Sequence, residues 1–220
     1  MKRYFENQLI QLFKKNQILD MNTMQKELQG RPRVSIFRDL NKIEYLSSYN
    51  KAGRYYTLKN IPSYNDDGIW KHAGVFFSIH GTLKETTKYL IDNSKAGHTH
   101  SELQQILGVR LHNTLFDLVS TEAVYREKLQ KVYVYFNIYP EIRLVQIEER
   151  QRQSDENQII SRIDPYITIE VLLAFITQDN RSSFDIHKIL SEKGIDTTLE
   201  EIETVIQHYD LGKKNSRSKY

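Results

Sequence analysis

The chain matches itself when displaced by 78 residues without a gap, and this constrains its fold more than any single motif does. Gly30 falls on Gly108, Asp39-Leu40 on Asp117-Leu118, Tyr55 on Tyr133 and Pro62 on Pro140. Apolar character is kept at Phe5 and Leu83, Leu12 and Leu90, Phe13 and Ile91, and Leu28 and Ile106. The series continues with Phe37 and Leu115, Leu46 and Val124, and Leu58 and Phe136. Such a chain builds two copies of one unit of about 60 residues before it builds anything else.

In the first copy Phe5, Leu9, Leu12 and Phe13 recur at helical spacing, which predicts an amphipathic helix from Tyr4 to Lys15. Asn22 or Thr23 is the expected N-cap of a short second helix that ends at Gly30. Pro32 suits the first turn of a third helix running through Val34, Phe37, Leu40 and Ile43. Tyr45–Tyr49 and Arg54–Leu58 read as strands joined by the turn residues Asn50–Gly53. The second copy repeats the order. Thr82 precedes a helix with Leu83, Leu90 and Ile91, and Thr99 or Ser101 caps a short helix ending at Gly108. A third helix carries Leu111, Leu115 and Leu118, and Val124-Tyr125 pairs with Lys131–Phe136 around Glu127–Gln130.

Two segments carry a resemblance: MQKELQGRPRVSIFRDLNKIEYLSSYNKAGRYYTL and HSELQQILGVRLHNTLFDLVSTEAVYREKLQKVYVYF. Each resembles the winged helix–turn–helix domains of bacterial and archaeal DNA-binding proteins, over residues 4–60 and 82–137. The resemblance implies a mainly α chain with small β-hairpin wings, an α+β protein of two tandem winged domains. The expected division is residues 1–62 and 63–140 for the two domains and 141–163 for a polar helical linker. A C-terminal three-helix domain over 164–211 and a basic disordered tail over 212–220 complete it.

Charge separates the copies. Residues 1–60 hold 12 basic and 5 acidic side chains, residues 61–140 hold 8 of each, and residues 164–210 hold 3 and 10. A polyanion is therefore expected on the first copy. On a helical wheel at ~100° per residue, Ile36, Phe37, Leu40 and Ile43 form the core side of the third helix. Ser35, Arg38 and Lys42 lie opposite, with Val34 beside them. That face suits a major groove, since a guanidinium takes guanine O6 and N7 together and ammonium groups neutralise phosphate. Arg31 and Arg33 lie at the helix start, where backbone N–H groups favour phosphate. The resemblance places Lys51 and Arg54 on the wing, beside the DNA backbone or minor groove.

The matching positions of the second copy are His112, Asn113, Phe116 and Ser120, with Arg110 the one cation near the helix start. Arg110 and Asn113 are its candidates for DNA contact, and Phe116 is a candidate anchor for protein contact. The C-terminal domain is expected to serve a protein partner.

The chain has no cysteine, which removes disulfides, thiolate zinc sites and thiol catalysis. His98, His100 and His112 lack a carboxylate at ligand spacing, and Asn65–Gly68 is a turn rather than a calcium loop, so no metal is expected. No catalytic motif, phosphate-binding glycine loop or cofactor fingerprint is present, so neither an enzyme nor a cofactor is expected. No apolar run approaches a membrane span, and the N-terminus is too polar for a signal peptide. The leading expectation is a cytoplasmic, homodimeric, sequence-specific regulator on double-stranded DNA. The alternatives are a replication initiator, a mobile-element factor, or a winged-helix assembly subunit like those accessory to condensin.

Overall fold

The computed structural model describes residues 2–177 and 182–211, so the expected tail lies outside the described residues. The chain is a mixed α+β protein with small antiparallel sheets. It divides into two units, Met1–Ile147 and Glu148–Tyr220, and both repeats fall inside the first.

The first repeat runs α1 (Lys2–Asn16), β1 (Leu19–Asp20), α2 (Met21–Glu27), α3 (Arg33–Leu40), β2 (Tyr45–Ser47) and β3 (Tyr55–Leu58). Leu9, Phe13, Met24, Ile36 and Leu40 are fully buried between the three helices and the sheet. Each such side chain contributes on the order of 2 kcal/mol by leaving water. β1 was not expected. Its two residues pair with β3 and close a sheet of order β1-β3-β2. That pairing holds Asp20 extended, so Asp20 caps α2 in place of Asn22 or Thr23 and accepts from the Thr23 N–H at 2.7 Å. α3 ends at Leu40, short of Ile43, because the Lys42 and Ile43 N–H groups bond three residues back, to Asp39 and Leu40.

A hairpin then follows, β4 (Ile69–His72) and β5 (Val75–Ser78), turning through Ala73 and Gly74 at φ 49° and 74°. Both central residues take the left-handed conformation that matches strand twist, without the Asn-Gly signal that announces such turns. The hairpin splices the repeats. Asn50 donates to Gly74 O and accepts from Phe76 N–H, each at 3.0 Å. On the far side, the Tyr49 hydroxyl donates to Leu107 O at 2.9 Å and Lys71 donates to Ile106 O at 2.8 Å. Burial pushes the Tyr49 phenol well above its ordinary pKa, so it stays a donor.

The second repeat has the same order: α4 (Leu83–Asn93), β6 (His98–Thr99), α5 (His100–Leu107), α6 (His112–Ser120), β7 (Tyr125–Leu129) and β8 (Val132–Phe136). Its sheet order, β6-β8-β7, also corresponds. The ungapped displacement of 78 is one residue short inside it. The N-caps Asp20 and Pro32 correspond to Thr99 and Leu111, and strand β1 to β6, all at 79. The change arises at the α4–β6 connection: α4 ends at Asn93, one residue before a displacement of 78 would end it, and β6 starts one residue after, so the connection spans 94–97 where the first repeat needs only 17–18. Arg38 therefore corresponds to Asp117 rather than Phe116, and Arg31 to Arg110.

α7 (Pro140–Ile160) is helical over most of the segment expected as a polar helical linker, and its start in the first unit is pinned. The Gln146 side chain is 2% exposed. It accepts from Asn137 N–H at 2.8 Å and donates to Ile91 O at 2.9 Å and Ser94 O at 2.8 Å.

The second unit contains α8 (Pro165–Thr177), α9 (Ser183–Glu192) and α10 (Leu199–His208) around Val171, Ile186, Leu190, Ile202 and Val205. α9 and α10 start with the reciprocal caps Ser182/Asp185 and Thr198/Glu201. The outer side of α8 carries Tyr166, Ile169, Leu173 and Ile176, all exposed. Among the described residues no helix is long and apolar enough to cross a membrane.

Gln146→Leu fills the same space but strands the Asn137 N–H and the Ser94 carbonyl, and leaves Ile91 O with the Ser94 N–H at 3.4 Å. A loss of about 2–4 kcal/mol in chemical denaturation is expected, with far-UV circular dichroism of the native state unchanged. A loss under ~0.5 kcal/mol, the ordinary surface range, would show that the pin carries no stability.

Candidate nucleic-acid interface

Of the cations expected at the interface of the first repeat, two are committed elsewhere. Asp39 on α3 is 3% exposed. The Arg31 guanidinium donates to it at 2.6 Å and lies 3.8 Å above the Phe5 ring. Lys42 bonds Glu6 at 2.7 Å and approaches Asp39 at 3.5 Å. The Glu6 hydrogen bond holds the Lys42 ammonium above its ordinary pKa. Arg31 is thus held against the structure, and Lys42, though exposed, is tied by its ion pair to α1.

The others are exposed. Arg33, Val34 and Arg38 stand on the outer side of α3, with Val34 at 81% exposure, and Ser35 is half-buried between them. Lys51 lies in a short 3₁₀ turn, Lys51–Gly53, that leads into β3, and Arg54 steadies that turn by donating to Lys51 O at 3.2 Å. Among the described residues none of Arg33, Arg38, Lys51 and Arg54 forms an ion pair within 4.0 Å. Arg33 and Arg54 come together at a cleft of about 160 Å³, lined also by Asp20, Asn22 and Tyr55. The Thr23 N–H, then the Thr23 side chain, and the charge of Arg54 hold the Asp20 carboxyl below its ordinary range. Each of the two guanidinium groups is a planar fork that can hold two oxygens of a phosphate at once. Asp20 escaped the sequence reading, because its capping role depends on the unannounced strand β1.

In the second repeat, Arg110, His112 and Asn113 are exposed at the start of α6, and Phe116 is 69% exposed. Asp117, the counterpart of Arg38, is held by Lys84 at 2.6 Å. The third helix of this repeat therefore presents a carboxylate where the first presents a guanidinium. The cations the sequence reading passed over are Arg126, Lys128 and Lys131 on the β7–β8 hairpin, all exposed. Alternation along a strand was the signal available for them. The described residues hold no group of three or more His, Cys, Asp or Glu able to bind a metal.

Asp20→Asn preserves a cap but removes the carboxylate. A carboxyl whose folded pKa is depressed stabilises above its unfolded value and loses that contribution as pH falls through the folded value. Wild type should thus lose more melting temperature than Asp20→Asn between pH 7 and pH ~2.5, by a margin that solvent screening keeps small. Parallel melting curves would contradict this.

No protein-family model matches the chain, and no curated protein sequence does either.

Proposed function

We propose that this chain is a sequence-specific double-stranded DNA-binding protein, a cytoplasmic transcriptional regulator whose first repeat reads the operator. Each repeat is read as a winged helix–turn–helix domain. The order α-β-α-α-β-β with the first strand beside the last supports that reading in both copies. The observation that carries it is the division of charge in the first repeat. Arg33 and Arg38 on α3 and Lys51 and Arg54 on the wing are exposed and, among the described residues, form no ion pair within 4.0 Å, while Arg31 and Lys42 satisfy the carboxylates behind them. Arg38 is the base-reading fork, Val34 and Ser35 contact the same groove, and Arg33, Lys51 and Arg54 take phosphate. Arg31 and Lys42 hold α3 in place rather than touching DNA.

The second unit is read as the protein-contact part and the seat of homodimerisation. Its support is the stripe Tyr166, Ile169, Leu173 and Ile176, exposed between 46% and 74%. The 3, 4, 3 spacing is that of a helix seam. The one charge on α8, Glu170, is neutralised by Lys193 at 2.8 Å.

Arg38→Ala should cost about 1–3 kcal/mol on a duplex selected from a random pool and less on a scrambled one, so discrimination falls. Lys51→Ala should weaken both duplexes alike and lower the salt slope by about one. Fluorescence anisotropy at two salt concentrations measures both. Equal losses on the two duplexes for Arg38→Ala would remove it from base reading, and a wild-type chain without duplex affinity would sink the function itself.

A further inference from the structure

We propose that the second repeat contacts duplex DNA through its β7–β8 hairpin rather than its third helix, with Arg126, Lys128 and Lys131 on backbone phosphates. This rests on the DNA-binding reading above and adds a site to it. α6 itself offers no cation, and its one charged side chain is Asp117, already paired with Lys84. The hairpin is the opposite. Arg126 and Lys128 lie on the same face of β7, since strand neighbours two apart share a face, and they stand opposite Tyr135 and Tyr133 in the ladder. The Arg126 guanidinium sits 4.7 Å and the Lys128 ammonium 5.9 Å from the centre of the Tyr133 ring.

That ring, 49% exposed, orders two cations without neutralising them, because attraction to an aromatic face leaves the full charge available to an anion. Lys131 occupies the two-residue tip beside Gln130, whose φ of 54° makes the tight reversal. Among the described residues none of the three cations forms an ion pair within 4.0 Å. Elsewhere in this unit Arg31, Lys42, Lys84 and Lys88 are all bound to carboxylates. The hairpin also stands further out than its counterpart, with five paired rungs against three, and everything from Lys128 to Tyr133 except Leu129 is exposed.

Ammonium and stacked guanidinium groups on a projecting ribbon neutralise phosphate and read no sequence, so the hairpin supplies affinity and not specificity. Each phosphate neutralised adds about 0.9 to the salt slope. Three together make binding fall about 40-fold further between 50 and 200 mM salt.

The test uses the full-length chain with Arg126→Gln, Lys128→Gln and Lys131→Gln combined, titrated by anisotropy against the selected and the scrambled duplex across that salt range. The expected result is a slope lower by about two to three on both duplexes, with their affinity ratio unchanged. An unchanged slope in a variant that still binds overturns the hairpin contact and leaves the first-repeat reading standing. A changed affinity ratio overturns the assignment to phosphate. Arg38→Ala is run beside it. A wild-type chain that binds neither duplex removes both readings together. Should the triple variant fail to fold by circular dichroism, Lys131→Gln alone, at the solvent-exposed tip, decides by a slope lower by about 0.9 or no change.

Discussion

A carboxylate with almost no access to water has to be paired, and in the first repeat that requirement settles what every nearby cation can do. Removing one partner of a buried pair leaves an uncompensated charge, which costs far more than a surface ion pair contributes. Asp39 therefore claims Arg31 directly and draws Lys42 to its other oxygen, with Glu6 completing the set. Phe5 lies under the Arg31 guanidinium, so the pair ties α1 to the approach and the interior of α3. What projects from α3 is the remainder: Arg33, Val34, Arg38 and, half-covered, Ser35. The outward chemistry of the helix is a consequence of its inward pairing.

The two repeats share a topology but not a chemistry. Structural equivalence replaces Asp39 with Leu118, an apolar residue of similar burial, and Arg38 with Asp117. Without the buried acid the second repeat has no need of an internal guanidinium, and Arg110, the counterpart of Arg31, stands exposed. Three of its exposed cations, Arg126, Lys128 and Lys131, lie instead on a longer hairpin. One fold thus carries two charge distributions, on the third helix and the β2–β3 connection in one copy and on the β7–β8 hairpin in the other. The β4–β5 hairpin joins them through hydrogen bonds to Asn50, and Lys71 and Tyr49 anchor the end of α5. The two distributions are held in one unit.

Much of the candidate site was legible before the structure because helical periodicity sorts side chains by face. The exposure of Val34 and Arg38 and the burial of Ile36 and Leu40 follow from the wheel alone. Lys42 was placed at the same interface by the wheel, which ranks directions and is blind to a partner 36 residues away, Glu6; Arg31 was placed there by its position at the helix start, which says nothing of its pairing with Asp39. The one-residue offset of the second repeat was invisible for a related reason. An ungapped match rewards identities such as Gly108 and Asp117-Leu118, whereas the helix N-caps that fix the true correspondence involve Thr99 and Leu111, which share no identity with Asp20 and Pro32. Gln146 looked like one polar residue in a polar segment, since nothing local announces three backbone partners up to 55 residues distant.

By itself the sequence determined the repeat, the helices with their outer faces, the turn between β2 and β3 and the concentration of positive charge in the first copy, whereas it expected the second copy's turn at Glu127–Gln130, of which Glu127–Leu129 are strand. All of these are local: they depend on spacing along the chain, on caps, and on turn residues whose preferences act within a few positions. The tertiary structure decided which of the described cations are paired, which residues of the two copies correspond, how the copies are joined, and that Gln146 pins the start of α7. Each of these rests on pairing a polar group with a partner remote in sequence. Such pairing is enforced by the cost of leaving a donor, acceptor or charge unsatisfied once water is excluded.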